Sequence, residues 1–306
     1  MTKLRRDARA FAQRVQMGSR RLWVLVEGRA HDRPFYDRLL QSHTPSVSQG
    51  FTVRLAEQIE LRGKSAGGKD FLLSLFDFFR EESLLVQENK EGKRYIALAL
   101  DRDFDNLAGL VIESPHLMYT RTADVEAEIL VHGDVRRAIS SAYSLTGDAV
   151  ARVLPEEFAF ASELARRWRD WITYGVVAVC CGVQHEVRYA HHSNINTSGF
   201  GALDESAAEA LRSKIEGALF TNEARERLSA ARAEVDDYYE QDREWLLVKG
   251  KWIASFIWFL VSQALDEIPR EKVQAETVVK TCLETIDFRA AWADPYRAHL
   301  DRLLAA

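Results

Sequence analysis

Two short apolar runs that end abruptly in acid constrain this chain more than anything else in it. They are Val24-Leu25-Val26-Glu27-Gly28 and Ala97-Leu98-Ala99-Leu100-Asp101-Arg102-Asp103. Apolar runs of this length, bounded by turn signals, read as strands buried on both faces. In an open α/β sheet, ligands gather in the crevice outside the carboxyl ends of the strands. Glu27, Asp101 and Asp103 are therefore expected to meet in space. Read as extended chain, Asp101 and Asp103 share a face while Arg102 turns away. Carboxylates crowded in this way repel one another unless one is protonated or a cation sits among them. A hard divalent cation such as Mg²⁺ takes oxygen ligands of this kind and keeps open positions for phosphate.

The segments between these runs fit an alternating strand and helix order. Leu22 to Val26, Phe51 to Leu55, Tyr95 to Leu100 and Leu117 to Thr120 are expected strands. Helices are expected from Asp32 to Leu40 and from Phe71 to Leu85, and Gly28 is expected to make the tight turn after the first strand. Asp32 suits a helix cap, and His31 reads as a surface loop residue.

The stretch Arg62-Gly63-Lys64-Ser65-Ala66-Gly67-Gly68-Lys69 runs into a helix, an arrangement whose backbone N–H groups suit an anion. It matches the phosphate-loop spacing only as Gly63 to Gly68-Lys69, and Asp70 stands where the Mg²⁺-holding Ser or Thr belongs, so a nucleotide-hydrolysing loop is rejected. Lys69 remains a candidate phosphate contact. After the fourth strand, Thr122 or Asp124 can cap the next helix. Glu126 falls in its first turn, where the dipole stabilises an acid in any case. Its place just after a strand of the same series also makes it a natural fourth metal ligand.

From about residue 132 the pattern becomes helical, with 3.6-residue periodicity over Asp134 to Leu145, Pro155 to Val179, Glu205 to Leu219, Asn222 to Tyr239, Gly250 to Ala264, Arg270 to Thr285 and Pro295 to Leu304. The chain thus divides, by sequence, into a basic N-terminal helix (1–19), an α/β domain (20–132) and a helical domain (133–306). Between Lys3 and Arg21 seven basic residues face one acid, Asp7. That run is either a solvated helix face or a contact surface for phosphate backbone. Lys249-Gly250-Lys251 opens a helix, where the two lysines either meet a substrate phosphate or are solvated. Residues 182 to 201, with His191 and His192, read as a loop rather than a metal pair.

The chain has 306 residues, 47% of them apolar and 28% charged, as in an ordinary globular protein. A net charge of −5 argues against coating nucleic acid over the whole surface but leaves local basic patches open. Cys180, Cys181 and Cys282 make neither a zinc spacing nor a disulfide framework, which fits a reducing cytoplasm. The basic start is followed by no apolar core of a leader peptide, and Trp252 to Leu265 is too short to cross a bilayer. No membrane association is expected.

The order strand–Glu27-Gly28 and then Asp101-x-Asp103 resembles the Toprim signature of topoisomerases, bacterial primases and OLD-type nucleases. With Asp32, Phe35-Tyr36, Gly67-Gly68-Lys69, Phe104-Asp105 and Asp124-Val125-Glu126 added, residues 20 to 132 resemble the Toprim-like proteins of the DUF4435 type. The resemblance implies a parallel sheet flanked by helices that holds one or two Mg²⁺ or Mn²⁺ ions and hydrolyses phosphodiesters. It implies Glu27, Asp101, Asp103 and Glu126 as metal ligands, with Lys69 as a phosphate contact. Chains of this build are also similar to the Toprim effectors of PARIS-type anti-phage systems, which pair with an ABC-type ATPase and target transfer RNA. By that likeness the expected substrate is RNA or DNA, the active form a homodimer, and an ATPase the partner.

Two other classes compete with this expectation. Asp-x-Asp after a strand also opens haloacid-dehalogenase-type phosphatases, but there Thr or Val usually follows, and Glu27-Gly28 would go unexplained. The other is a non-catalytic sensor or binding subunit whose acids are structural.

Overall fold

β2 (Leu22–Val26) lies inside the sheet with all five residues buried, which is why its sequence is an uninterrupted apolar run. The computed structural model describes residues 6–156, 158–183, 204–218, 222–264 and 275–305. The chain is an α/β protein with a mixed sheet flanked by helices and a helical C-terminal region. It divides into two units, one of Met1–Asp101, Ile112–Thr120 and Asp287–Ala306, the other of Arg102–Val111 and Arg121–Ile286. The division expected from sequence is sequential, whereas these units are discontinuous. The last twenty residues join the sheet, and residues 121–132 join the helices.

In the sheet unit, β1 (Arg6–Asp7) leads into α1 (Ala8–Met17), so the basic helix starts at Ala8, where Asp7 caps it by accepting from Arg9 N. After β2 come α2 (Asp32–Ser42), α3 (Thr44–Gln49), β3 (Phe51–Leu55), β4 (Ile59–Glu60), α4 (Lys69–Glu81), β5 (Val86–Asn89), β6 (Gly92–Leu100) and β7 (Leu117–Tyr119). β2 pairs in parallel with β3, from Leu22↔Phe51 to Val26↔Leu55, and with β6, from Leu22↔Tyr95 to Leu25↔Leu98. β7 runs parallel to β6, and β5 antiparallel to it. The expected parallel strands β2, β3, β6 and β7 are present, and β5, not expected from sequence, makes the sheet mixed: it follows α4 closely and returns through the tight Asn89–Gly92 turn, which only an antiparallel neighbour can use. β1 and β4 form a separate parallel pair.

Alternation sends Trp23 and Leu25 to one face, where they meet Phe11, Ala12 and Val15 of α1 and Leu72, Leu75, Phe76 and Phe79 of α4. α2 packs along β3. Its Phe35 ring stands 5.2 Å from Phe288 and 6.3 Å from Tyr296, tying the C-terminal segment to the unit. Tyr95 Oη also donates to Leu304 O at 3.1 Å.

The helical unit contains α5 (Val125–His132), α6 (Val135–Tyr143), α7 (Gly147–Val153), α8 (Phe160–Arg167), α9 (Arg169–Cys180), α10 (Glu205–Ala218), α11 (Asn222–Glu240), α12 (Gly250–Ala264) and α13 (Ala275–Thr285); α14 (Asp294–Ala305) belongs to the sheet unit. The single helix expected from Pro155 to Val179 is broken. Trp168, fully buried with φ −110° and ψ 22°, ends α8 and starts α9. α12 carries the densest apolar surface and packs on α5, α7, α8 and α13. Trp252 and Phe256 are buried inside this unit, and Trp258 stacks on Tyr143 at 5.7 Å. Among the described residues no helix is long and apolar enough to cross a membrane.

Candidate functional site

Glu27 directly follows β2 and Asp101 directly follows β6. Because these strands are paired in parallel, both carboxylates leave the same edge of the sheet on adjacent strands. The turn after Glu27 is organised by Asp32, whose Oδ2 accepts from Gly28 N at 2.7 Å. A Cβ on Gly28 would stand 3.0 Å from that carboxylate, so the close approach favours glycine. Asp32 is the first residue of α2 rather than its cap. His31, expected on the surface, is buried at the residue before that helix.

The glycine-rich loop reaches this edge. A Cβ on Gly67 would lie 3.9 Å from Glu27 O, and one on Gly68 3.9 Å from Glu27 Oε1. Gly68, at φ 98° and ψ 159°, is the cap of α4, so Glu27 lies beside a helix N-terminus. Lys69 is the first residue of that helix. The positive end of the helix favours the ionised carboxylate and any anion brought to it.

The helical unit holds a second set of acids with different neighbours. The chain leaves β6 at Leu100, and Asp103 adopts φ 50°. The two-residue alternation read from sequence therefore does not run through Asp103. Its N–H is tied to Ala123 O at 2.7 Å, which holds the left-handed turn. Lys249 Nζ stands 2.7 Å from Asp103 Oδ1, with both side chains partly exposed. Lys249, a candidate phosphate contact by sequence, is thus engaged with a carboxylate, while Lys251 is exposed on α12.

Asp124 caps α5, as one of the two candidates named from sequence: its Oδ1 accepts from Ala127 N at 2.8 Å and from Gly250 N at 2.9 Å. Thr122 instead donates its hydroxyl to Asp124 O. One carboxylate thus serves the first turns of two helices, α5 and α12. A Cβ on Gly250 would fall 2.3 Å from Glu126 Cβ and 2.4 Å from Ala127 N, so the two helix starts meet backbone to backbone. Burial, and then the charge of half-buried Glu126, push the Asp124 carboxyl up to about 7, against the pull of Lys249 and the backbone donors. Glu128, not singled out by sequence, is fully buried and accepts from Arg121 N at 2.6 Å and Thr122 N at 2.8 Å. Its signal lay in the run of acids from Asp124 to Glu128, where the helical period turns Glu128 inward and leaves Glu126 half-buried.

A Ser–His–Asp contact also occurs in the sheet unit. His43 Nδ1 lies 2.7 Å from Ser46 Oγ, and its Nε2 lies 3.0 Å from Asp301 Oδ1. Ser46 is fully buried and its N–H also donates to His43 Nδ1, so this is a helix cap that fixes α14 and not a nucleophile. Burial pushes the Cys180 thiol up to about 11 and the Cys282 thiol up to about 12. His191 and His192 lie outside the described residues.

Among the described residues, no three His, Cys, Asp or Glu side chains are grouped so as to hold a metal ion. The donor chemistry nevertheless fits a hard divalent cation in kind, since Glu27 and Asp101 offer only carboxylate oxygens at one sheet edge. No protein-family model, no curated protein and no solved structure matches this chain.

Proposed function

We propose that the protein is a metal-dependent nuclease of Toprim type that cuts nucleic-acid phosphodiesters and serves as a toxic effector in anti-phage defence. The observation that carries this reading is the placement of Glu27 and Asp101 just past the carboxyl ends of two adjacent parallel strands, with the α4 N-terminus beside Glu27. These two carboxylates would hold Mg²⁺ or Mn²⁺, which when bound polarises a scissile phosphate and acidifies a water. Lys69 and the first N–H groups of α4 meet negative charge on the phosphate. Asp32 keeps Glu27 in place by closing the turn at Gly28. Asp103 and Glu126 carry the same ligand expectation from the resemblance, and RNA (transfer RNA included) and DNA are the substrate classes. A homodimer and an ABC-type ATPase are the partners this reading brings with it.

The test is cleavage of labelled transfer RNA and of plasmid DNA by the purified protein with Mg²⁺ or Mn²⁺, beside Glu27→Ala and Asp101→Asn. Cutting that depends on metal and is lost in both variants supports the proposal; cutting retained in both overturns it.

A non-catalytic sensor or binding subunit has its own observation in its favour. The acids of the helical unit already have structural occupations, Asp103 with Lys249 and Asp124 with two helix starts. On that reading metal and substrate leave no cleavage product, and Glu27→Ala changes nothing but local stability.

A further inference from the structure

The basic residues near the N-terminus separate into two groups by what they touch. Arg9 is held by Glu82 through two contacts of 2.9 Å, and Arg21 donates to Glu91 O at 2.8 Å. Arg6, Arg14 and Arg20 instead join Arg54 of β3. Together they line two adjoining cavities of about 190 Å³ and about 360 Å³ that share Arg14, Trp23 and Arg54. Among the described residues no Asp or Glu lines either cavity. None of the four arginines is paired with an acid among the described residues.

The groove is built rather than incidental. Among the described residues β3 is the edge strand of its sheet, and the β1–β4 pair contributes Arg6 and Ile59 to the same lining. The Arg14 guanidinium lies 6.0 Å from the Trp23 ring centroid, and the Trp23 indole N–H donates to Arg20 O at 3.1 Å. Gly50, at φ 71°, leaves room for Arg20, since a Cβ there would come within 3.2 Å of that side chain. Four like charges kept together without counter-charges favour a polyanion over any neutral partner. Guanidinium forks match phosphate oxygens in pairs.

We propose that this arginine-lined groove along the β3 edge is a track for the phosphate backbone of a nucleic-acid strand, held without regard to base sequence. It rests on nucleic acid being the substrate class proposed above, but it needs no metal and no cleavage.

Binding of a labelled RNA strand, and of a DNA strand in a second arm, is therefore measured against salt concentration in a chelator. The wild-type affinity falls steeply with salt, and Arg14→Gln/Arg54→Gln flattens the slope by about 0.7 per lost contact for a single strand, about 1.4 in all. Arg9→Gln, on the same helix but occupied by Glu82, leaves the slope unchanged. Arg14→Lys/Arg54→Lys keeps most of it, which separates lost charge from lost folding. Equal slopes in wild type and Arg14→Gln/Arg54→Gln overturn the proposal, as does wild-type binding that is absent at low salt. Cleavage with an unchanged slope sinks the groove and leaves the nuclease standing; a lost slope without any metal-dependent cleavage does the reverse.

Discussion

The two sets of acids differ in what their neighbours do to them. At the sheet edge, Glu27 follows a buried strand and lies beside a glycine that opens a helix, in a turn closed by Asp32. In the helical unit, Asp103 is neutralised by Lys249 and Asp124 is committed to the N–H groups of Ala127 and Gly250. Acids read from one ordered motif thus divide into a group at the ends of two adjacent parallel strands and another tied to a lysine and to helix starts. The difference teaches that spacing names candidates, while the surrounding donors decide what each carboxylate can do.

Substitutions can break this comparison, and the largest effect is expected on activity at the sheet edge. Glu27→Ala should lower metal-dependent cleavage by about a hundredfold or more, a loss of the size seen when one preorganised electrostatic partner is removed. Its thermal melting should stay close to wild type. Next comes Gly250→Ala, whose new methyl would press on the α5 backbone and cost about 3 kcal/mol in denaturant titrations. Asp124→Ala follows, at about 1–2 kcal/mol for a lost cap, with the buried Gly250 N–H left without its acceptor. The smallest is Lys249→Met, about 1 kcal/mol, because the partly exposed Asp103 can turn to water.

The pH dependence sharpens the same contrast. The Asp124 carboxyl titrates at about 7 in the folded chain against 3.8 for the free group, so the native state holds its proton more tightly than the unfolded chain. Its contribution to stability is full below about 4 and is lost as pH rises through about 7. Melting curves across that window should show wild type losing stability relative to Asp124→Asn. A parallel pair of pH profiles would remove Asp124 as the group that titrates in that window.

Much of the sheet was legible in the sequence because strands buried on both faces write themselves as apolar runs. β2 and β3 match their expected spans, and the expected starts of α10, α11 and α12 hold. β5 was not legible, since Val86-Gln87-Glu88-Asn89 is an outer strand with a polar face and no run to read. Nor was the return of residues 287–306 to the sheet unit, which depends on aromatic contacts such as Phe35 with Phe288, far apart in the chain. At the site, the strand-end acids Glu27 and Asp101 could be read from sequence. The left-handed turn at Asp103 and the ion pair it makes with Lys249, 146 residues away, could not, because nothing local encodes a partner at that distance. The need for glycine at position 250 was hidden for the same reason: it arises from α5, not from its own helix.

The most direct measurement is cleavage of labelled transfer RNA and plasmid DNA with Mg²⁺ or Mn²⁺, with wild type and Glu27→Ala run side by side. Metal-dependent cutting by wild type that disappears in a folded Glu27→Ala is the predicted result. Equal cutting by both proteins would contradict the assignment of the sheet-edge acids as the centre of the chemistry.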